Sequence, residues 1–417
     1  MRHLCAGLSE EVHRDGASRT RGGDLMKTLL MSANYAAARA IVSARVEVVA
    51  AYPITPATTV PEQIALLDEE GIYKGEFIRV ESEHSAMFAC IGASSTGARA
   101  FTATSSNGLL LMDEALHWAA AARLPIVLAN INRSVSPPWN IHVTHDDSMS
   151  KRDTGWIQFY VASVDEFYHT IIQAFKVAED ERVLMPVMVS ADGFVLSHTV
   201  STFDYLEPEE VDEFLPPYKP PHWVMNPDNP VSHGNIVFPE YYQEFRYQMH
   251  EASKNALKVY EEVERDYKRL FGKYFGGPID QYRCDDAEVV FTSQGTVGAE
   301  AIDAIDELRD EGYKVGAARV RMYRPFPVEP MRALASKVKA FASFDRGVSY
   351  GFGGHVANDI RAALYHSPYR PIVKSYIGGL GGRDVTVDDI KEIILDTVKA
   401  VESGEMGPEE TWHDLLE

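Results

Sequence analysis

The chain has 417 residues, a hydrophobic fraction of 45% and a formal net charge of −21 at pH 7. This length predicts more than one hydrophobic core, and the acidic balance argues against binding to nucleic acid or to anionic membranes. No run of 18 apolar residues predicts a helix that crosses a membrane, so membrane association is not expected.

The segment before residue 27 mixes Arg, Ser, Gly and Glu and lacks the apolar stretch of a secretory signal. We expect residues 1–26 to form a poorly ordered N-terminal extension, with Met26 as an alternative start of the chain. The apolar run at residues 26–30 predicts the first strand.

Residues 27–200 alternate short apolar runs with helical stretches, which predicts a parallel sheet with helices on both faces. The expected strands are 46–51, 77–81, 100–104, 125–131 and 187–190. The expected helices are 36–44, 58–67, 85–94 and 109–122, the second of them capped by Thr58 or Thr59.

Repeated prolines between residues 208 and 230 break this pattern and predict an irregular connector. Residues 241–275 then predict a long charged helix. We expect the whole segment 201–283 to wrap over a neighbouring domain or subunit.

Residues 284–400 resume the α/β pattern and predict a second domain. The expected strands are 287–292, 314–319, 340–345 and 372–377, and the expected helices are 298–311, 330–339 and 387–400. Residues 401–417 are acidic and are expected to form a loosely held tail.

The three cysteines, Cys5, Cys90 and Cys284, are far apart in the sequence. Without a Cys-x-x-Cys pair they indicate a reducing compartment rather than a disulfide framework, so a cytoplasmic location is expected. They are too few for an iron–sulfur cluster, which takes four thiolates, so any cluster would lie in another chain.

Thr55 lies in the run Tyr-Pro-Ile-Thr-Pro at residues 52–56, directly after a predicted strand. Pro53 and Pro56 fix φ and lack an N–H, so they hold Thr55 on a stiff turn. Ligands of open α/β sheets bind at the carboxyl ends of strands, which makes the Thr55 hydroxyl a candidate binding group. A structural hydroxyl in a capped turn is the alternative.

Glu81 and Glu83 stand at the end of the next predicted strand. Two carboxylates two residues apart in an extended chain lie on the same face, and a helix dipole stabilises a carboxylate at its N-terminus. This predicts a functional acid at the sheet edge. An ordinary acidic helix start is the alternative.

Residues 102–108 read Thr-Ala-Thr-Ser-Ser-Asn-Gly and precede a predicted helix. The backbone N–H groups at such a helix start can bind an anionic or polar ligand group. A plain N-cap explains the same residues equally well.

Arg133 follows a predicted strand and can bind a carboxylate through two parallel hydrogen bonds. Pairing with a structural Asp is the alternative. The histidines and acids at residues 142–147 are crowded in one loop, and we do not predict a metal site there.

Glycines cluster at residues 351–354 and 378–382, where they allow close backbone approach to a ligand or to a partner chain. Neither cluster matches Gly-x-Gly-x-x-Gly after a first strand, so a nicotinamide or flavin fingerprint is not supported in this chain.

Five segments of the chain together resemble the alpha subunit of the 2-oxoacid:ferredoxin (acceptor) oxidoreductases. The similar motifs lie, in order, at residues 52–56, 81–86, 132–133, 153–158 and 378–386, within a resemblance that spans about residues 27–400. The resemblance implies an α/β fold. Its first domain would be like the pyrimidine-binding module of thiamine-diphosphate enzymes, and its second like the transketolase C-terminal domain.

The same resemblance implies a subunit that is inactive alone and that belongs to a hetero-oligomer, itself expected to dimerise. A beta subunit would hold thiamine diphosphate and Mg²⁺ at the interface with this chain, and gamma and ferredoxin-like delta subunits would complete the assembly. Iron–sulfur clusters would lie in these partners. The implied activity is oxidative decarboxylation of a 2-oxoacid to acyl-CoA and CO2, with coenzyme A as cosubstrate.

Three residues carry family roles in this resemblance. Glu83 is similar to the glutamate that hydrogen-bonds the aminopyrimidine ring, favouring the imino tautomer whose nitrogen deprotonates the thiazolium carbon. Thr55 and Arg133 match the residues that hold the substrate carbonyl and carboxylate. His84 departs from the small residue that most relatives carry, and its role is open.

Trp139 bears on the identity of the substrate. It follows two prolines in the loop after Arg133 and could stack on an aromatic substrate or pack against a partner subunit. Together with chain length and terminal sequence it favours the phenylglyoxylate members of the family, which implies benzoyl-CoA as product and electrons passed through an FAD subunit to NAD. Pyruvate or a branched 2-oxoacid is the alternative substrate.

Two other classes of protein stay open. The chain could be a structural subunit that completes such an assembly without lining its active site. A stand-alone nucleotide-binding protein is disfavoured, because the glycines of a phosphate loop are missing.

Overall fold

The computed structural model describes residues 19–21 and 24–416. Residues 1–18 and 22–23, most of the expected extension 1–26, lie outside the described residues. Strands β1 (Arg19–Arg21) and β2 (Asp24–Met31) pair antiparallel, and β2 also pairs antiparallel with β9 (Ser201–Tyr205). The strand expected at residues 26–30 therefore forms, but in a separate three-stranded sheet.

The first large sheet contains six parallel strands and a seventh that runs antiparallel at one edge. The parallel strands are β3 (Val48–Ala51), β4 (Glu76–Arg79), β5 (Ala100–Thr104), β6 (Val127–Asn132), β7 (Ile157–Tyr160) and β8 (Val187–Asp192). The edge strand β13 (Met322–Arg324) pairs with β7. The order across the sheet is β13-β7-β8-β6-β5-β3-β4. Every residue of β5, β6 and β8 is buried, as in a parallel sheet covered on both faces.

The second large sheet has six strands, all parallel except the first, which runs antiparallel to its neighbour. They are β10 (Ile279–Tyr282), β11 (Val289–Ser293), β12 (Val315–Val320), β14 (Ala340–Asp345), β15 (Ile372–Ile377) and β16 (Glu410–Trp412). The order is β10-β12-β11-β14-β15-β16. The expected pair of parallel α/β sheets is confirmed.

Strand β16 lies in the tail that the sequence predicts to be loosely held. Residues 410–412 pair in parallel with 375–377 of β15. The expectation of a loose tail is wrong for these residues, because pairing with an exposed sheet edge supplies the order that their own polar sequence does not.

Helices cover both sheets. In the first half of the chain they are α1 (Ala33–Ser43), α2 (Thr59–Glu69), α3 (Glu83–Ser95), α4 (Ser106–Leu111), α5 (Asp113–Ala121), α6 (Asp146–Met149) and α7 (Val164–Glu179). The remainder are α8 (Pro208–Val211), α9 (Pro239–Phe271), α10 (Val297–Asp310), α11 (Val328–Ala335), α12 (His355–Leu364) and α13 (Val387–Ser403). Within the described residues, no helix combines the length and apolar character needed to cross a bilayer.

Local sequence explains several helix starts. The Ser82 hydroxyl accepts the N–H of Ser85 and caps α3, while Thr386 and Asp389 form a capping box on α13. The cap expected on α2 is absent: Thr58 is already helical, and the Thr59 hydroxyl accepts a hydrogen bond from Asn34. The predicted helix 109–122 is two helices, α4 and α5, which meet at residue 112.

The long helix α9 confirms the charged helix expected at residues 241–275. Its buried residues begin at Ala252, and beyond that point it packs on α7, where the His169 ring and the Tyr267 hydroxyl lie 2.7 Å apart. Before that point it presents Tyr241, Phe245 and Tyr247 to solvent. The helix thus covers the first domain mainly with its second half.

The carboxyl ends of the two parallel sheets face each other. Asp192, the last residue of β8, accepts hydrogen bonds from the Thr296 hydroxyl after β11 (2.6 Å) and from Arg346 after β14 (3.1 Å). Loops that follow strands of both sheets therefore meet, and residues from both can border the same cleft.

Candidate active site

Four neighbouring strands of the first sheet end at the candidate site. Thr55 follows β3, Glu83 opens the helix after β4, Thr104 ends β5 and Arg133 follows β6. Because these strands are parallel and adjacent, their carboxyl ends lie along one edge. Edges of this kind are the usual ligand sites of open α/β sheets.

Arg133 and Thr55 are in direct contact. The Nη1 of Arg133 donates a hydrogen bond of 2.7 Å to the backbone carbonyl of Thr55. Arg133 is buried, with an exposed fraction of 5%, whereas Thr55 is exposed. The two residues expected to hold a substrate therefore share a site, although the contact uses the carbonyl of Thr55 rather than its hydroxyl.

Burial and two carboxylates have opposite effects on the charge of Arg133. Burial lowers the pKa of Arg133, while the negative charges of Asp147 and Glu83 oppose that shift. The guanidinium Nε has no hydrogen-bond partner among the described residues. A buried guanidinium with an unused donor is suited to a carboxylate ligand.

Glu81 and Glu83 have opposite environments. Glu83 is the first residue of α3 and is buried, whereas Glu81 is exposed and accepts a hydrogen bond of 2.5 Å from the Ser85 hydroxyl, which lowers its pKa. The expectation that both carboxylates share a face is wrong, because the helix starts between them at the cap Ser82. Of the two acids, Glu83 alone is enclosed at the sheet edge.

Gly108 allows α4 to approach the Glu83 carboxylate. A β carbon at position 108 would lie 2.6 Å from Glu83 Oε1 and 2.6 Å from Thr104 Oγ1. Thr104 Oγ1 and Ser105 Oγ lack hydrogen-bond partners within the described part of the chain. A glycine in a hydroxyl-rich run is the sequence signal for this close approach, and the sequence reasoning gave Gly108 no role.

The first N–H group of α4, which the sequence suggested could bind a ligand, already donates a hydrogen bond within the chain. The N–H of Ser106 donates to Asp147 Oδ2 (3.0 Å), and the Ser106 hydroxyl donates to the Ser134 carbonyl (2.5 Å). Ser106 has a φ of +48°, in the left-handed region that non-glycine residues rarely adopt. Asp147 is a functional candidate that sequence reasoning passed over as part of a crowded loop.

The histidines of that loop contact the end of β8 and the residues that follow it. His145 Nε2 lies 2.8 Å from Asp192 Oδ1. Burial would raise the pKa of Asp192, but His145 and Arg346 beside it outweigh burial and hold that pKa well below its ordinary value. The His142 ring lies against Phe194, with ring centroids 4.7 Å apart.

The glycine cluster at residues 378–382 packs against this same loop. Asn140 Nδ2 donates to the Gly381 carbonyl (3.0 Å), and the Gly382 N–H donates to the Val143 carbonyl (3.1 Å). A β carbon at position 381 would lie 2.7 Å from Asn140 Nδ2. The close backbone approach expected toward a ligand or a partner chain is made here to another segment of the same chain.

Two residues with open roles lie at the surface of this chain. Trp139 is 79% exposed. His84 Nε2 lies 3.5 Å from Glu114 Oε2, and its ring packs on Phe88 with centroids 4.8 Å apart. A side chain as exposed as Trp139 lines a pocket only if another chain covers it.

Two family models match the chain. The model described as "Pyruvate flavodoxin/ferredoxin oxidoreductase, thiamine diP-bdg" matches residues 39–265. The model described as "Pyruvate:ferredoxin oxidoreductase core domain II" matches residues 287–390.

Three curated relatives are similar over most of their length. The ketoisovalerate oxidoreductase subunit VorA of Pyrococcus abyssi is 48% identical over 93% of this chain and 97% of that protein. The pyruvate synthase subunit PorA of the same organism is 46% identical over 93% and 98%. The pyruvate synthase subunit PorA of Methanocaldococcus jannaschii is 45% identical over 88% and 93%.

Two solved structures share the fold. The 2-oxoglutarate:ferredoxin oxidoreductase from Magnetococcus marinus superposes with a TM-score of 0.68 at 19% identity, covering 94% of this chain and 69% of that chain. A split-gene transketolase superposes with a TM-score of 0.50 at 13% identity, covering 88% and 98%. The expected likeness to thiamine-diphosphate and transketolase folds is confirmed.

Proposed function

The chain belongs to the pyruvate flavodoxin/ferredoxin oxidoreductase family, and we propose that it is the alpha subunit of a multi-subunit 2-oxoacid oxidoreductase that forms acyl-CoA and CO2. One observation carries the proposal. The buried Arg133 guanidinium lies 2.7 Å from the Thr55 carbonyl, at the same sheet edge as the enclosed Glu83. The buried cation suits a substrate carboxylate, and the enclosed acid at the same edge suits a cofactor ring nitrogen that carries a proton.

Ketoisovalerate is the substrate that we propose first, and pyruvate the second. The relatives described above are named for these two acids, at 48% and 46% identity. Phenylglyoxylate and electron transfer to NAD, expected from the sequence, find no support in those names. The exposed Trp139 does not supply an aromatic pocket within this chain.

The residues at the sheet edge fit thiamine diphosphate. Glu83 is buried, Gly108 lets α4 pack directly against its carboxylate, and the Thr104 hydroxyl has no partner among the described residues. When bound, thiamine diphosphate supplies the carbon nucleophile that attacks the substrate carbonyl and the electron sink for decarboxylation. Glu83 would hold the proton at the ring nitrogen of the aminopyrimidine.

Arg133 and Thr55 would orient the substrate. The guanidinium of Arg133 would bind the 2-oxoacid carboxylate, which sets the direction in which CO2 leaves. Thr55, exposed at the mouth of the site, would contact the substrate carbonyl. An aldehyde has no carboxylate, so this arrangement selects for 2-oxoacids.

Partner subunits complete the proposed enzyme. Cys90 and Cys284 are buried, and burial raises the pKa of each thiol to about 12. Neither thiol is therefore a thiolate ready to bind iron at neutral pH. Iron–sulfur clusters, Mg²⁺ and most contacts to the diphosphate are assigned to beta, gamma and delta subunits.

The experiment compares Glu83→Gln with Glu81→Gln in the assembled complex, because the second acid is two residues away but exposed. Acyl-CoA formation is measured with ketoisovalerate, pyruvate, phenylglyoxylate and oxalate. We expect ketoisovalerate or pyruvate to be preferred, and Glu83→Gln to reduce turnover by roughly 100-fold or more while Glu81→Gln changes it little. Full turnover of Glu83→Gln would indicate that the chain is a structural subunit. If the unsubstituted complex turned over none of the four acids, the proposed function would be refuted.

A further inference from the structure

Asp147 is the most highly connected acid near the candidate site. It lies on α6, is fully buried, and accepts five hydrogen bonds. Oδ1 accepts from Asn132 Nδ2 (2.8 Å) and the Ser148 N–H (2.7 Å). Oδ2 accepts from the Ser106 N–H (3.0 Å), Asn130 Nδ2 (3.3 Å) and the Arg133 N–H (3.1 Å).

Two of these donors belong to the backbone of the site itself. The hydrogen bond from the Arg133 N–H holds the backbone of this residue at the end of β6. The guanidinium of the same residue lies 2.7 Å from the Thr55 carbonyl. The N–H of Ser106 fixes the left-handed residue that starts α4. One carboxylate therefore ties the end of β6 to the helix that approaches Glu83.

From this geometry we propose that Asp147 is a positioning residue for substrate binding, which acts by fixing the backbone of Arg133 so that its guanidinium meets the 2-oxoacid carboxylate. The inference rests on the proposed function. Asp147 touches no reacting atom, and its effect passes through Arg133.

Substitution of Asp147 by Asn changes the hydrogen bonding without changing the volume. All five partners are donors, so only a group with two acceptor oxygens can satisfy them together. An amide nitrogen would face two or three N–H groups and would repel them. Asp147→Asn should therefore displace Arg133 while leaving the core filled.

The control is Asp146→Asn, on the same short helix. Asp146 Oδ1 accepts the Val348 N–H (3.0 Å), an interaction that the amide oxygen of Asn can preserve. In the assembled complex we expect Asp147→Asn to raise the KM for the 2-oxoacid by roughly tenfold or more, with a smaller change in kcat. Asp146→Asn should leave both constants near those of the unsubstituted enzyme.

A double-mutant cycle separates positioning from general loss of structure. If Asp147 acts through Arg133, adding Asp147→Asn to Arg133→Ala should change kcat/KM by no more than about threefold, because the group that it positions is gone. A merely structural role would make the two losses multiply, and that result overturns the proposal. An unchanged KM in Asp147→Asn overturns it as well.

Asn130→Ala keeps the proposal testable if Asp147→Asn fails to assemble. It removes the longest of the five hydrogen bonds and leaves the carboxylate in place. A KM raised by a few-fold that disappears in the Arg133→Ala background supports the proposal, and an unchanged KM refutes it. Failure of the proposed function is distinguishable, because the unsubstituted complex would then turn over no 2-oxoacid.

Discussion

Replacing Gly108 by Ala tests whether α4 must approach Glu83 as closely as the structure shows. The added β carbon would lie 2.6 Å from both Glu83 Oε1 and Thr104 Oγ1. Distances below 3.0 Å are essentially never seen for real β carbons, so one of the elements must move. Both neighbours are buried, which leaves them little space in which to rotate away.

Two opposing effects set the size of the change. In an unobstructed helix, Gly→Ala stabilises by about 0.4–1 kcal/mol, because the unfolded chain loses freedom. Overpacking of a filled site costs about 1–3 kcal/mol. The clash is expected to win, with a net loss of about 1–2 kcal/mol in the free energy of unfolding. Because a displacement of about 1 Å at a reacting group costs about 100-fold in rate, we expect turnover to fall by about 10- to 100-fold.

The matched control is Gly92→Ala on α3, where an added β carbon meets no atom within 4 Å. The denaturation midpoint and the acyl-CoA formation of the assembled complex are measured for both variants. Gly92→Ala should be unchanged or slightly stabilised, with full turnover. Equal stability and turnover of Gly108→Ala and Gly92→Ala would refute a need for this close approach of α4 to Glu83.

Two further predictions concern charge. Arg133→Lys keeps the cation but loses the planar fork, so the KM for the 2-oxoacid should rise by about 10- to 100-fold in steady-state assays, and an unchanged KM would remove Arg133 from substrate binding. Burial raises the pKa of Asp345 from 3.8 to about 7. The folded state then holds a proton between these pH values that the unfolded state has lost, so stability falls as pH rises through this window. The loss of stability between about pH 5 and about pH 8, measured by denaturation, should therefore be smaller in Asp345→Asn than in the unsubstituted protein. An equal loss in both proteins would contradict this prediction.

Continuous buried strands could be predicted from the sequence. The structure gives β5 and β14 the bounds expected from the sequence, 100–104 and 340–345, because every residue in each is buried. Short, largely apolar runs between turn residues are typical of strands that are buried on both faces. Helix α7 could not be predicted in the same way. Thirteen of its 16 residues are buried, including Glu166, His169 and Gln173, so no exposed polar stripe reveals the helical period.

The same distinction applies to the candidate site, where only the residues that follow buried strands could be predicted from the sequence. Thr55, Glu83 and Arg133 each follow a predicted strand, and adjacency of parallel strands is enough to suggest that they lie near one another. Asp147 lies on the short helix α6, whose sequence predicts neither a strand end nor a helix start. Its role depends on donors from two separate segments, at Ser106 and at residues 130–133, that only the folded chain brings together.

Strand β13 determines how the two halves of the chain can move. Residues 322–324 follow directly from the second sheet, yet they form the outer strand of the first. Beside them, Arg321 joins Glu166 under the first sheet to Glu264 on α9, in a fully buried ion pair network. Hinge opening between the halves would break main-chain hydrogen bonds and strand a charge in the interior, which is costly. The relative position of the two sheets is therefore fixed within this chain, and access to the sheet edge depends on the loops that border it.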